Sequence, residues 1–300
     1  MTNRTQAVVD VADDDEQDDD APASGVMESL TRLDRDLKAA ATTLTTREAR
    51  YLVSLYYDIQ EQRIRAAAQF RASQQQAEPN ALIGWMQTNY RTLESDIKRA
   101  MDAYTDAQPL GQWAKSLVGI GPVLAGGLLA HVDVERSTSV SHLWSFAGYN
   151  PTATWDKGQK RPWNAALKQV AWKCGQSFTI TSTRKGSFYG PLFAARKAQE
   201  QERNEAGAFA EQAAAILRDK RIGEDTDAYA AYRQGKLPPA HLQARAERWT
   251  VKLFLSHYWE VAYRLRYQKD PPRPWVLEFG GHVDLIPVPN LALVWPATAG

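Results

Sequence analysis

The 300-residue chain has a single cysteine, Cys174, which excludes a disulfide framework and any all-cysteine metal site. It lacks an apolar run of the ~18 residues that a membrane-spanning helix requires, so no membrane partner is expected. No charged-then-apolar signal pattern opens the chain, and a cytoplasmic location is the expectation. There is no Gly-x-x-x-x-Gly-Lys-Ser/Thr loop, which argues against nucleotide hydrolysis. The five histidines are His131, His142, His241, His257 and His282. None lies two or four residues from another His or Cys, so neither a metal nor a cofactor is expected. His131, at a helix end beside Asp133, reads as a local polar contact. No internal repeat stands out.

Charge is nearly balanced at +1, but unevenly placed. Residues 1–25 hold one basic side chain, Arg4, and eight acids between Asp10 and Asp20, which leaves +8 on the remainder. A block so acidic and so poor in apolar groups repels itself and is expected to be a disordered tail. It either competes with a polyanionic ligand for a basic face or simply aids solubility.

Beyond residue 25 the chain is helical in pattern. Leu30, Leu33, Leu37, Ala41 and Leu44 recur at three- and four-residue steps. Thr45 and Glu48 fit a capping box, predicting a long helix over 46–76 with Leu52, Leu55, Tyr56, Ile59 and Ile64 facing inward. A second helix is predicted over 81–106 from Leu82, Trp85, Met86, Tyr90, Leu93, Ile97, Met101 and Tyr104, stopped by Pro109. Such stripes need a partner, either each other as an antiparallel pair or a second subunit as a coiled coil. Further on, Pro191 suits the first turn of a helix through about 219, a short helix is predicted near 226–234, and a long one starts at Pro238. The prolines beyond 270 keep the C-terminal segment extended or in turns, with room for short strands at Trp275–Leu277 or Val283–Ile286.

The most informative stretch runs from Trp113 to Leu129. A short helix meets Gly119, Ile120 and Gly121, and Pro122 then opens a second helix, at a position where a missing N–H is harmless. The glycines permit positive φ and leave backbone open to a ligand, while Ile120 is expected to plug between the helices. Free amides and the positive dipole end of the second helix would then face the turn, an arrangement that binds phosphate. This is a helix-hairpin-helix pattern, with Ala125, Gly126 and Gly127 allowing close helix packing.

The next stretch adds charge. Ser139 to Gly148 reads as an amphipathic helix closed by glycine, and a helix is predicted from Asn164 to about Ser177. Between them lies a polar loop containing Lys157, Lys160 and Arg161. Residues 157–197 hold nine basic side chains and no acid, read as one positive surface beside the hairpin with phosphate as its counter-charge. Of the tryptophans, Trp144 and Trp172 are assigned to the core. Trp155 and Trp163, flanking the basic loop, are the candidates for stacking on unpaired bases.

Leu117, Gly119, Ile120, Gly121, Pro122, Ala125, Leu128, Leu143, Phe146, Gly148, Pro151 and the helix opening at Asn164, in that order, resemble the C-terminal domain of transposases of the insertion-sequence 110/116/902 family. The resemblance covers about residues 85–180. It implies DNA contact, with RNA left open as a participant. Family members add a RuvC-like nuclease domain with acidic metal ligands, and a serine thought to attack DNA. Residues 1–80 contain no alternating strands bearing isolated acids. Where the family places Ser-Gly, this chain reads Thr152, Ala153, Thr154, Trp155, Asp156, Lys157, Gly158, which makes Thr154 the one, poor, stand-in for the nucleophile.

The expectation is therefore a mainly α protein. An acidic tail (1–25) leads to long helices or a coiled coil (26–108), a helix-hairpin-helix domain (109–180), a helical extension (181–270) and a Pro-rich segment (271–300). DNA backbone is to be held by the amides of Gly119, Ile120 and Gly121, with charge from Lys115, Lys157, Lys160, Arg161 and Lys168. Self-association through the long helices is expected. Two rivals stand: an active recombinase, and a helical assembly protein without a nucleic-acid ligand.

Overall fold

The structure is a computed structural model that describes residues 35–75, 81–272 and 285–295. The acidic tail, Leu30 and Leu33, the Trp275–Leu277 strand and His282 lie outside the described residues. Among those described there are eleven α-helices and no strand, as a mainly α fold requires. None of these helices is long and apolar enough to cross a membrane.

Helix α1 (Arg35–Ala41) ends sooner than its stripe suggests, because Thr42 and Thr43 turn the chain and their hydroxyls bond back to the carbonyls of Ala39 and Ala40. Leu37 of that stripe is exposed. Helix α2 (Thr46–Gln75) starts at the expected capping box: the Thr45 amide donates to Glu48 Oε2 at 2.8 Å, and the Glu48 amide donates to Thr45 Oγ1 at 3.3 Å. Helix α3 (Ala81–Asp106) returns antiparallel to it. Glu94 bridges the two, accepting from Gln60 at 3.1 Å and pairing with Arg63.

Among the described residues, the near half of this arm is the part packed on a third element. Val53, Ile97, Met101 and Tyr104 are buried together with Val123 and Ala130 of helix α5 (Pro122–His131). At the far half Ile64, Leu82, Trp85 and Met86 stay exposed, contrary to their inward assignment, because among the described residues no third helix reaches them. Near the body the long stripes thus find their partner within the chain.

The body surrounds the main core. Helix α4 (Pro109–Lys115) and α5 form the hairpin, followed by α6 (Val140–Phe146) and α7 (Ala165–Ile180). Ser139 caps α6 and Asn164 caps α7, each side chain accepting an amide of the first turn. The helix predicted from Pro191 to 219 is two, α8 (Tyr189–Glu205) and α9 (Ala210–Asp219). Gly207 takes φ +78° between them, and the Asn204 side chain ties the break to the backbone of Leu237. Helix α10 (Asp227–Arg233) is short, and α11 (Pro239–Tyr267) runs against α4, α6, α7 and α8.

Trp113, Leu128, Leu143, Leu167, Phe178, Phe254 and Tyr258 form the centre of that core. Full burial of each stabilises the fold by roughly 1.5–3 kcal/mol. The buried Glu200 carboxylate joins α8 to α11, accepting from Arg245 at 2.7 Å and Arg196 at 2.5 Å. Burial pushes its pKa up, but these two arginines outweigh that and hold it below the usual carboxylate range. Of the expected Val283–Ile286 strand the first two residues lie outside the described residues, residues 285–288 form no strand, and a 3-10 turn, Leu291–Leu293, comes next. This segment returns to the body, where Trp113 Nε1 donates to the Pro289 carbonyl at 2.8 Å and Asn290 Nδ2 to Ser116 at 3.0–3.1 Å.

Candidate nucleic-acid interface

The hairpin has the geometry its sequence suggests. Pro122 occupies the first turn of α5, and Gly119 takes φ +100°, a conformation that a side chain would strain. A Cβ on Gly127 would lie 2.9 Å from Val170, so its absence lets α5 and α7 touch. Ile120 is 4% exposed and fills the space beneath the turn, as expected. Its amide, however, is not available to a ligand: it donates to the Leu117 carbonyl at 2.9 Å, closing the turn. The amides of Gly119 and Gly121 make no hydrogen bond among the described residues. Gly121 is exposed, in extended conformation (φ −88°, ψ 178°), with no atom within 4 Å of where a Cβ would stand.

The turn is braced from below by the C-terminal end of α7. Ser177 Oγ donates to the Gly119 carbonyl at 2.6 Å, and Thr181 Oγ1 lies 2.9 Å from the position of a Gly119 Cβ. A Cβ on Gly186 would sit 3.8 Å from Val118, so the exposed Arg184 and Lys185 flank the hairpin.

Lys115 is not among the cations at this turn. Its ammonium pairs with Asp102 and, at 2.7 Å, with Asp106, both on α3. Burial alone would lower its pKa, but the hydrogen bonds and charges of these aspartates carry it above the ordinary lysine value. The side chain is only 16% exposed and locks α4 to the arm.

The nine-residue positive surface is likewise not one patch. Asn164 caps α7, so the Lys157, Lys160 and Arg161 loop sits at the opposite end of that helix, about 20 Å from the hairpin at 1.5 Å per residue. Lys157, Lys160 and Arg161 are exposed, and Lys168 is half-buried. Each tryptophan of the loop is already partnered by a cation: the Arg161 guanidinium lies 4.9 Å from the Trp155 ring centre, and Lys168 Nζ lies 4.2 Å from that of Trp163. Trp144, as assigned, packs on the core and donates to the Lys252 carbonyl at 2.9 Å. Trp172 does not: it is 48% exposed, because the buried face of α7 is carried by Leu167, Val170, Ala171, Cys174 and Phe178. Thr154 is exposed, and its hydroxyl has no hydrogen-bond partner among the described residues, so no base activates it there.

The two histidines buried among the described residues hold local structure. His131 contacts Asn164, not Asp133, at 3.4 Å; burial, helped by the Arg50 charge, brings its pKa to about 4. His257 is read as neutral, donating from Nε2 to the Ile286 carbonyl at 2.9 Å and accepting at Nδ1 from the Tyr189 hydroxyl at 2.8 Å. Burial lowers its pKa to about 4 against the opposing pull of the Ile286 carbonyl. Among the described residues, no three His, Cys, Asp or Glu side chains come together as metal ligands would.

At the two ends of α7 stand Arg184 and Lys185, by the hairpin, and Arg248, beside the loop, none of which the sequence singles out as a contact. The nine-base run contains the first pair without ranking them. Nothing near Arg248 in the chain marks it, since it arrives from α11. No protein-family model matches the chain, and neither a curated protein nor a solved structure matches it.

Proposed function

We propose that the protein binds duplex nucleic acid, DNA in the first instance, by its sugar-phosphate backbone and without reading bases. The observation that carries this reading is the exposed Gly121, with its amide and that of Gly119 unbonded, at the start of α5. Amides there meet an anion with their own dipoles and with that of the helix. Lys185 is exposed next to Gly186, which approaches Val118 at the hairpin, and Lys157 and Lys160 at the other end of α7 supply further phosphate contacts. The separation of about 20 Å falls within one helical turn of DNA, about 34 Å. The likeness to the hairpin of insertion-sequence transposases supports the same reading. Strand cleavage forms no part of it, since Thr154 has no base against it among the described residues.

Fluorescence anisotropy with a duplex of arbitrary sequence tests the proposal. Four phosphate contacts give an affinity that drops on the order of 100-fold between about 50 and 200 mM salt. A second, unrelated duplex should bind within about threefold of the first, because phosphates carry no sequence information. Absence of binding at about 50 mM salt would overturn the reading.

A further inference from the structure

A cleft of about 540 Å³ opens between α7 and α11, on the side of the basic loop. Three cations line it, Arg161, Lys168 and Arg248, and they come from three places in the chain: the loop, α7 and α11. Glu247 is the one acid among its lining residues, and its carboxylate is occupied by Gln176 and Gln243, each at 2.8 Å. Arg248 makes no hydrogen bond or ion pair with any described residue. Its charge and that of Lys168 are held partly out of water: burial lowers both pKa values first, Arg161 and Arg248 then lower that of Lys168 and Arg245 that of Arg248, with Tyr149, Glu247 and Glu200 offsetting part of the last.

Partly buried like charges repel one another, and a fold tolerates the cost where an anion restores the balance. A phosphate suits guanidinium groups, which grip it with paired N–H donors. At the rim the half-exposed Trp172 presents an indole that the core does not use. The volume lies in the range of about 300–1,000 Å³ usual for small-molecule sites.

From this juxtaposition we infer that the cleft is a nucleotide site: Arg161, Lys168 and Arg248 hold a 5′-phosphate while Trp172 stacks on the attached base. The nucleotide comes either from solution or from the end of a single strand, and the chemistry recognised is the same. The site stands at the opposite end of α7 from the hairpin and does not depend on duplex binding.

Calorimetric titration of the full chain in about 50 mM salt, with 5′-AMP, adenosine, inorganic phosphate and a trinucleotide with or without a 5′-phosphate, tests this. The expected result is 5′-AMP or the 5′-phosphorylated trinucleotide binding at least about tenfold tighter than its unphosphorylated counterpart. Preference for the trinucleotide assigns the site to strand ends, and equal or weaker binding assigns it to free nucleotides. Arg248→Gln is expected to weaken the bound ligand at least about tenfold. Trp172→Ala should weaken the same ligand severalfold while leaving inorganic phosphate unaffected. Should Arg248→Gln lose its helical circular dichroism, Lys168→Gln serves the same comparison. No difference between phosphorylated and unphosphorylated ligands, or binding unchanged in a folded Arg248→Gln or Lys168→Gln variant, overturns the phosphate site. Binding indifferent to Trp172→Ala overturns its assignment to a nucleotide.

Discussion

The two ends of α7 present positive character in different ways. At the C-terminal end a glycine turn offers backbone amides, and the nearest hairpin lysine, Lys115, is consumed by Asp102 and Asp106. At the N-terminal end the backbone is capped by Asn164, and the positive character lies in side chains gathered from residues 161, 168 and 248. The first arrangement suits a smooth, repeating anion that runs past; the second suits a discrete one that enters a cleft. A count of bases along the sequence cannot distinguish them, because it sees charge but not which charges are already paired.

A neutral histidine stands near each end: His131 contacts the α7 cap Asn164, and His257 of α11 bonds Tyr189, whose ring packs on Phe178 of α7. This gives the largest expected effect. Both native pKa values, about 4, lie below the usual 6.5. The unfolded chain therefore binds more protons than the native one between those values. Stability is full above about pH 6.5 and is lost as pH falls toward 4, by up to about 3 kcal/mol for each histidine. Denaturant midpoints measured from pH 7 to 4 check this. A flat profile would remove the symmetry between the two ends.

The hairpin end can then be divided into shape and contact. Gly119→Ala forces a side chain into φ +100° and against Thr181, and should cost about 2 kcal/mol in a denaturant titration. Gly121→Ala meets open space and ordinary dihedrals, so its stability should stay within about 0.5 kcal/mol of the parent. Duplex affinity should nevertheless fall about tenfold, since the methyl stands where the phosphate would approach. A Gly121→Ala protein that binds as well as the parent would break the backbone half of the comparison.

The smallest effects concern which lysines count. Lys185→Ala should reduce the slope of log affinity against log salt by about one. Lys115→Ala should leave that slope unchanged and cost about 1 kcal/mol in stability, through loss of its half-exposed ion pairs. The opposite assignment of slopes would place the ligand on α4.

Legible in the sequence are the features that local chemistry decides. Thr45 with Glu48, Pro109, Pro122 and Asn164 punctuate the chain within a turn of their own positions, and the elements they bound lie where the pattern puts them. The division between α8 and α9 is hidden, because Gly207 sits in a run of good helix formers and the break is secured by a contact between Asn204 and Leu237. Periodicity assigns Trp172 to the core, yet α7 already fills its buried face with smaller residues. The loss of Lys115 to α3, and the arrival of Arg248 from α11, are tertiary facts with no local signature.

The C-terminal strap has a consequence for how the chain is made. Asn290 reaches Ser116 across 174 residues, and Pro289 receives the indole proton of Trp113. Contacts so distant in sequence form late, after the intervening loop entropy has been overcome. During synthesis α4 therefore emerges long before this segment does, and these contacts to the hairpin wait until residues 289 and 290 have left the ribosome.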